Sequence, residues 1–549
     1  MEITLREQIL VSCRHLLSHL NRDPASASFG CFDRRYWAWK LTDFPESTFQ
    51  RNVAPLAWYM NQPEAKNKSA IGRWIKQALL FTTRIQHRDG SFDQAYPFEH
   101  SYGATAFLLP DLITAYDAIS DTLKEKERAY ILKSLWKAAD RLTTGSEKHD
   151  FIANHLAGAA FGLYKASNLL NNKKYLYKCN LIVDKILAKQ SNEGWFPEYG
   201  GADPGYQTLC MYYLAQIFRA VPSDELRDAL KTSLQFLQYF AHPDGTFGGE
   251  YGSRRTEIYY PGGIALLADQ FPLAAALNDP MKASITEGTT TTVMDVDVGN
   301  LAPLLSNYIL ALEAPDSLTT FDPLPMDKND IHQYFDLAGI AIHGNNHYYT
   351  IIGVSNGGVT KIYQRNPKRI ILDDCGLLGT TQRGNLVTSQ VSDPQAKIVV
   401  DDKTIQISTR LGFISSTSPN PANYLLLRLA NLTFMRIPFL NEWIKKLLVN
   451  ILIKKEDFLP IQRTRRIEFG QAKITVVDRI NKDVSTDIIQ LQMALKFSAI
   501  HMASSRYFSP SQCDIGDAIN LDCDVLNHTG NITQSLQIDA KHSTVVRLL

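Results

Sequence analysis

Apolar residues recur with helical spacing through roughly the first 315 residues of the chain. They fall at i, i+3, i+4 and i+7 in segments such as "QILVSCRHLLSHL", "YLYKCNLIVDKILAKQ" and "LRDALKTSLQFLQYFA". This spacing is typical of amphipathic helices that bury one face. Polar stretches such as "AADRLTTGSEKHD" separate the helical segments. The first part of the chain therefore predicts a helical domain, which we place at residues 1–317.

The second part of the chain has the pattern of short strands. Segments such as "YFDLAGIAI", "HYYTIIGV", "KIVVDD" and "KITVVDRI" are rich in β-branched residues and are separated by Gly, Asn, Asp and Pro. Most of them follow one another with no helix between, which favours an antiparallel sheet. The Pro- and Asp-rich stretch "LTTFDPLPMDKND" precedes them. We therefore predict an antiparallel β-domain at residues 318–549.

One segment interrupts the strand series with a helical pattern, and we predict a helical insertion at about residues 421–456. Basic residues alternate with Leu, Phe and Trp through 423–455, and Pro438 is expected to break or kink the helix. One interpretation is a helical hairpin packed over the sheet. The other is a basic amphipathic surface that makes a peripheral contact with an anionic membrane.

A weak internal repeat organises the helical domain. The turns "HRDGSF", "SNEGWF" and "HPDGTF" share an acid-Gly-x-Phe pattern, which begins at Asp89, Glu193 and Asp244. Their spacing predicts a unit of about 51 residues, and a missing copy is expected near residue 141. A unit of this length fits a pair of helices, and several such pairs can close into an (α/α) toroid. The loops after the turns would then surround one mouth of the toroid.

Composition excludes some classes of function. The net charge is +1 and no Lys/Arg run of nucleic-acid-binding type is present, so we predict no nucleic-acid partner. The seven cysteines contain no CxxC spacing, which supports neither a zinc site nor a disulfide framework. We predict no metal and no cofactor. The N-terminal segment has no signal-peptide pattern, so we expect a cytoplasmic protein that can associate with the inner membrane.

The loops that follow the repeat turns contain most of the polar and aromatic residues suited to chemistry. Aromatic rings stack on sugars, and Arg binds carboxylate groups with a planar fork, so this composition favours an acidic polysaccharide or oligosaccharide as partner. The matching chemistry is removal of the C5 proton beside a uronate carboxyl group, which requires that the carboxylate be neutralised. The candidates for binding the substrate are Tyr102, His100, Tyr199, Arg254, Tyr260, His347 and Asn356.

Three motifs carry a resemblance to a known family. The segments "NHLAGAAFGLYKAS", "YGGADPGYQTL" and "GSRRTEIYYPGG", followed by the strand-rich half, resemble the heparinase II/III-like family. That family includes heparin, heparan and alginate lyases built from an (α/α) toroid and an antiparallel β-sandwich. The resemblance implies that Asn154 and His155 neutralise the uronate carboxylate and that Tyr206 transfers the proton. Asn154 is also a favoured helix N-cap residue, so a capping role is the alternative.

The chain departs from the family pattern in the β-domain. The family carries a histidine there that faces the toroid, whereas this chain reads "GVSNGGVTKIY" with Asn356 at the similar place. His343 and His347, just upstream, are the nearest histidines that could substitute. The leading hypothesis is a polysaccharide lyase that acts by C5 proton abstraction and β-elimination. The alternatives are a uronyl C5-epimerase and a non-catalytic glycan-binding protein of polysaccharide assembly.

Overall fold

The structure is a computed structural model that describes residues 3–146, 151–414, 420–437, 440, 457–482, 487–499 and 518–548. Its N-terminal half consists of helices joined by loops and short 3-10 turns. The α-helices are α1 (Leu5–His19), α2 (Arg34–Trp37), α3 (Val53–Met60), α4 (Lys68–Ile85), α5 (Tyr102–Ile119), α6 (Glu125–Thr144), α7 (Ala153–Leu169), α8 (Lys173–Leu187), α9 (Pro204–Ala220), α10 (Asp224–Leu237), α11 (Pro261–Leu267), α12 (Pro272–Glu287) and α13 (Val298–Leu312). The 3-10 helices of this half are Ser47–Asn52, Ser120–Thr122 and Gln238–Phe240.

The helices form a closed double ring. The inner ring runs α3, α5, α7, α9, α11 and α13, each in contact with the next, and α13 packs back on α3. The outer helices α4, α6, α8, α10 and α12 pack around it, and α1 packs against α13, α3 and α12. The predicted (α/α) toroid is therefore confirmed.

Inner and outer helices differ in how they are buried. Helix α5 buries residues around its whole circumference, because neighbours lie on every side. Helix α10 buries one stripe that contains Leu226, Leu230, Leu234 and Leu237 and exposes the opposite face. Helix α10 thus carries the amphipathic pattern that sequence periodicity detects, and α5 does not.

The acid-Gly turns repeat as structure. The N–H groups of Gly90, Gly194 and Gly245 each donate to the carbonyl oxygen three residues earlier, at 2.9–3.0 Å, with φ between +88° and +101°. Gly30, which no acid precedes, marks a further turn with φ +94°. A Cβ at Gly30, Gly90 or Gly194 would lie 2.1–2.2 Å from a backbone oxygen of α4, α6 or α10. These positions need glycine because the turn both adopts a left-handed conformation and touches the next outer helix. Residue 141, where a further copy was expected, lies inside α6.

The β-domain consists of two antiparallel sheets. It follows a connector from residue 313 to residue 330 that contains a 3-10 turn, Pro325–Asp327. The first sheet has the order β1 (Ile331–Phe335), β2 (Ile340–Gly344), β3 (Tyr348–Gly353), β4 (Val359–Gln364) and β5 (Arg369–Asp374). The second sheet contains β6 (Leu378–Thr381), β7 (Leu386–Thr388), β8 (Lys397–Val400), β9 (Thr404–Ile414), β10 (Phe458–Phe469), β11 (Lys473–Lys482), β12 (Ile488–Met493), β13 (Ile519–Asn520), β14 (Asn531–Asp539) and β15 (Thr544–Leu548). Its order is β13-β12-β6-β7-β9-β10-β11-β14-β15, and β8 pairs with β9.

The first sheet lies between the toroid and the second sheet. Ile351 and Tyr363 on one face join the apolar core of the toroid, and Ile352 and Ile362 on the other join the core between the sheets. Every residue of β2, β3 and β4 is consequently buried. A sheet covered on both faces reads as a continuous apolar run, which explains why "YYTIIG" lacks alternation. The predicted fold, a toroid followed by an antiparallel β-sandwich domain, is confirmed.

The described part of the predicted insertion begins with helix α14 (Pro421–Leu432) and continues as a 3-10 turn, Phe434–Arg436. Pro438 and nearly all of the remaining insertion lie outside the described residues. A short helix, Cys523–Thr529, follows β13. Among the helices that the structure describes, none combines the length and the apolar character needed to cross a membrane.

Candidate active site

Asn154 lies at the start of α7 and does not cap it. The helix begins at Ala153 and its N-cap is Ile152, so Asn154 is the second helical residue. Its amide Nδ2 donates to Oε1 of Glu198 at 2.6 Å, and both side chains are buried. Its Oδ1 is buried without a hydrogen-bond partner among the described residues. A buried polar atom of this kind in a loop-lined site is consistent with a functional role.

Glu198 is positioned by strand-like pairing between two loops. The N–H of Ala153 donates to the carbonyl of Pro197 at 3.1 Å, and the N–H of Tyr199 donates to the carbonyl of Phe151 at 3.3 Å. Glu198 thus sits opposite Ile152. The "WFPEYGG" loop after the second repeat turn is therefore fixed to the beginning of α7, which brings the carboxyl group against the amide of Asn154.

The carboxyl group of Glu198 has an unusual protonation equilibrium. Burial raises its pKa from 4.5 to about 7, against the opposing effects of His155, Arg254 and the Asn154 hydrogen bond. Desolvation disfavours the charged form, and the neighbouring donors recover only part of that cost. Near neutral pH, Glu198 can therefore exchange a proton in response to a change of nearby charge.

His155 packs against the first turn of α5. A Cβ at Gly103 would lie 2.6 Å from Cε1 of the imidazole, so the absence of a side chain there makes room for the ring. The ring also meets Phe107 edge to face, with centroids 5.1 Å apart. Because Tyr102 directly precedes Gly103, the predicted residues His155 and Tyr102 lie on adjoining helix starts. Tyr102 is buried, whereas His155 is partly exposed.

Asp203 joins Tyr206 to Arg254. As the N-cap of α9, its Oδ1 accepts from the N–H of Tyr206 at 3.0 Å, and its Oδ2 accepts from the N–H of Arg254 at 2.9 Å. The hydroxyl of Thr256 donates to the same carboxyl group. The guanidinium of Arg254 lies 3.7 Å from the centroid of the Tyr199 ring, a close cation–π contact. A single buried carboxyl group thereby binds the backbone of Tyr206, in the first turn of α9, and the backbone of Arg254, in the loop after the third repeat turn.

Of the remaining predicted residues, His100 lies in the loop after the first repeat turn. Its Nδ1 is within hydrogen-bond distance of Ser91 Oγ (2.7 Å) and of Asp89 Oδ2 (3.1 Å). Tyr260 is the N-cap residue of α11 and is buried, with its N–H donating to the hydroxyl of Thr208. Both residues belong to the toroid domain.

The two predicted residues of the β-domain lie at opposite ends of β3. Asn356, after the end of β3, donates its Nδ2 to the carbonyl oxygens of residues 250, 251 and 252 at 3.1–3.3 Å. It therefore ties the β-domain to the loop that carries Arg254. His347 lies directly before the start of β3 at Tyr348, at the end of the strand opposite to Asn356. His343 stacks on Phe469 within the β-domain, with centroids 4.0 Å apart.

Left-handed backbone concentrates in these loops. Phe98, His100, Tyr199 and Arg255 all have φ between +52° and +62°, a region that non-glycine residues seldom adopt. Each of the three loops that follow the repeat turns therefore contains a non-glycine residue with a left-handed backbone. Backbone strain of this kind clusters at functional sites, where it holds side chains in a chosen direction.

Sequence reasoning did not select some residues that hold the site. Neither Glu198 nor Asp203 was predicted to have a role. The pair Asp203-Pro204 is a helix-start signal that marks Asp203 as an N-cap. Arg51 is buried beneath the site, where its Nε donates to Asp111 at 2.7 Å and its guanidinium lies over Phe107. No local pattern marks Arg51, because its partners come from other helices.

A separate ionic cluster lies between the domains. Glu250, Asp373 and Cys375 are close enough together to be considered as metal ligands. The ammonium group of Lys361 already lies 2.9 Å from Glu250 and 3.0 Å from Asp373, and it supplies the positive charge there. Lys496 adds a second cation, 2.9 Å from Glu257. This composition fits a domain contact better than a metal site.

Part of the toroid matches a known protein family. Residues 59–265, which contain Asn154, His155, Glu198, Tyr206 and Arg254, match the family described as the ulvan lyase N-terminal domain. No curated protein is significantly similar to the chain. The match covers the part of the toroid in which the candidate site is built.

Solved structures extend the comparison to the whole fold. A Streptomyces coelicolor A3 chondroitin AC lyase, solved in complex with chondroitin sulphate, has 11% sequence identity and a TM-score of 0.54. The match covers 88% of this chain and 67% of that enzyme. A heparan sulfate lyase from Pedobacter heparinus has 10% identity and a TM-score of 0.42, covering 88% of this chain and 70% of that one. The family match over residues 59–265 supports the predicted polysaccharide lyase-like family, and the likeness to chondroitin AC lyase shows a shared fold.

Proposed function

We propose that the protein is a polysaccharide lyase that cleaves a uronic-acid-containing glycan by C5 proton abstraction and β-elimination. The observation that carries the proposal is the cluster at the starts of α7 and α9. There the buried Asn154–Glu198 pair lies beside His155, and Asp203 accepts hydrogen bonds from the backbone N–H groups of both Tyr206 and Arg254. The family match over residues 59–265 supports the same class of reaction.

Asn154 and His155 are proposed to neutralise the uronate carboxyl group. The amide of Asn154 has two N–H donors, and one of them is directed to Glu198. The second is proposed to donate to the substrate carboxylate together with a ring N–H of His155. Withdrawal of charge by these donors stabilises the enolate-like state that forms when the C5 proton leaves.

Tyr206 is proposed as the group that moves the proton. As a phenolate it removes the proton from C5, the electron pair forms the C4–C5 double bond, and the C4–O4 bond breaks. Tyr206 then returns the proton to O4 of the leaving sugar. An unperturbed tyrosine has a pKa near 10, so the phenolate needs a nearby cation. Arg254, whose backbone N–H binds the same Asp203 as the backbone N–H of Tyr206, is proposed to supply it.

Glu198 is proposed to position Asn154 and to limit charge repulsion. A fixed carboxylate beside a uronate would weaken substrate binding. A carboxyl group with a pKa of about 7 instead takes up a proton when the substrate's negative charge arrives. Its Oε1 can accept the amide hydrogen of Asn154 in either state, so the amide keeps its direction.

The experiment is an assay against ulvan, chondroitin sulphate, heparan sulfate and alginate. The ultraviolet absorbance of the unsaturated uronate product reports elimination, and deuterium from the solvent reports exchange at C5. We expect absorbance to grow on at least one glycan. Deuterium at C5 without absorbance would instead identify an epimerase, and binding without either signal would identify a glycan-binding protein. None of the comparisons favours the epimerase.

The variant Tyr206→Phe tests the proposed role of the phenol. We expect turnover to fall by about 10³-fold or more, since the proton-transfer group is removed, while glycan binding is kept. Tyr177→Phe is the matched control, because Tyr177 lies on the outer helix α8 and is 66% exposed. Full activity in Tyr206→Phe would remove Tyr206 from the reaction.

A further inference from the structure

Helix α14 directs its apolar side chains into solvent. Leu425, Leu426, Leu429 and Leu432 are each 58–65% exposed. Tyr424, Phe434 and Ile437 extend the same surface and are 43–57% exposed. We call these seven residues the outward leucine face. Proteins seldom leave so many large apolar side chains together in water unless the surface binds something.

The opposite side of the same segment packs against the protein through one ion pair and two buried side chains. Arg428 forms an ion pair with Asp43 at 2.8 Å. Asn431 is buried, and so is Met435 in the following turn. A helix that packs on a globular protein normally buries its leucines and exposes its charges. Helix α14 does the reverse, so its apolar surface is held outward by the structure.

The charges of this segment select one kind of partner. Residues 423–455 contain six basic residues and one acidic residue, Glu442. Two copies of so basic a segment repel each other, whereas an anionic lipid surface attracts both its basic and its apolar residues. Arg436, adjacent to the outward leucine face, is itself exposed.

We propose that the outward leucine face docks on an anionic lipid surface. The leucine and phenylalanine side chains enter the boundary between headgroups and acyl chains, and the exposed Arg436 meets the headgroups. The protein is then a peripheral membrane protein that lies on the bilayer without crossing it.

The attachment also relates the membrane to the mouth of the toroid. The guanidinium of Arg436 lies 5.0 Å from the ring of Phe98, in the loop that carries His100. Docking therefore holds the first rim loop of the candidate site close to the lipid surface. A glycan presented at a membrane would reach the site from there.

Flotation with lipid vesicles tests the proposal. The full chain is mixed with vesicles of phosphatidylcholine alone or of phosphatidylcholine with phosphatidylglycerol. We expect flotation with the anionic vesicles and much less with the neutral ones. The double variant Leu425→Ser, Leu429→Ser should lose about tenfold or more in vesicle affinity, because it removes apolar side chains from the docked face.

Leu337→Ser is the matched control. Leu337 belongs to the β-domain, is 60% exposed, and lies far from α14 in the sequence. It should float like the unchanged protein, and circular dichroism should show that all variants remain folded. Equal flotation by the double variant, or none by the unchanged protein, would overturn the proposal. A concentration-dependent dimer that only the double variant abolishes would assign the face to a second copy instead.

Discussion

At the scale of single residues, the Asn154–Glu198 pair combines a fixed direction with an adjustable charge. The carboxyl group is 3% exposed, so water does little to stabilise its ionised form. The neighbouring His155 and Arg254 and the hydrogen bond from Asn154 offset only part of that cost. A residue that merely held the amide could be a glutamine, so the acid indicates that protonation matters.

The variant Glu198→Gln measures the cost of burying the ionised carboxyl group of Glu198. The folded protein holds the Glu198 proton more tightly than the unfolded chain, so the free energy of unfolding should fall as pH rises from about 4.5 to about 7. The free energy of unfolding is lower by about 3 kcal/mol at pH values above this range, and it is not lowered at pH values below it. Urea unfolding at a series of pH values should show this loss in the unchanged protein and its absence in Glu198→Gln. Parallel pH profiles for the two proteins would contradict the assigned pKa.

At the scale of elements, the site depends on how closely α5 and α7 approach. The variant Gly103→Ala adds a Cβ that would lie 2.6 Å from the His155 ring. Gly103 has an ordinary helical backbone, and alanine favours the helix by about 0.5–1 kcal/mol, so stability should change little. The imidazole must shift, and we expect activity on the identified glycan to fall by about tenfold or more.

Gly72→Ala is the control for this helix substitution, because the nearest atom to its Cβ, Sδ of Met60, lies 3.4 Å away. Thermal unfolding checks both variants, and the elimination assay compares their turnover. If Gly103→Ala keeps full activity, the position of the His155 ring is not critical.

The helices also show how much of the structure can be predicted from the sequence pattern. The periodic segments singled out in the sequence became α1, α8 and α10. None of them belongs to the inner ring, and each buries one face. Helices such as α5 are buried all round and carry no comparable stripe. The turn at Gly30 was missed because it lacks the acid of the other copies. Asn154, His155 and Tyr206 were selected by motif resemblance, whereas Glu198 and Arg51 acquire their environments only from chain segments far away in sequence.

At the scale of the whole molecule, buried charges connect the toroid to the β-domain. Lys361 of β4 lies 2.9 Å from Glu250 and 3.0 Å from Glu257, both in the loop that carries Arg254. Asp373 of β5 lies 3.0 Å from the same ammonium group. The carboxylates hold the pKa of Lys361 well above its usual range despite burial. The domain contact and the candidate site thus share one loop.

The variant Lys361→Met should therefore weaken both stability and the site. It removes the cation that lies 2.9 Å from Glu250 and leaves Lys496 beside Glu257 and Asp373. A broken buried pair costs about 3–5 kcal/mol. We expect a lower midpoint of thermal unfolding and a fall in turnover, because the Arg254 loop loses its support. Lys368→Met is the control, since Lys368 is 61% exposed and its nearest carboxylate, Asp327, is 3.9 Å away. An unchanged unfolding midpoint in Lys361→Met would show that the cluster does not hold the two domains together.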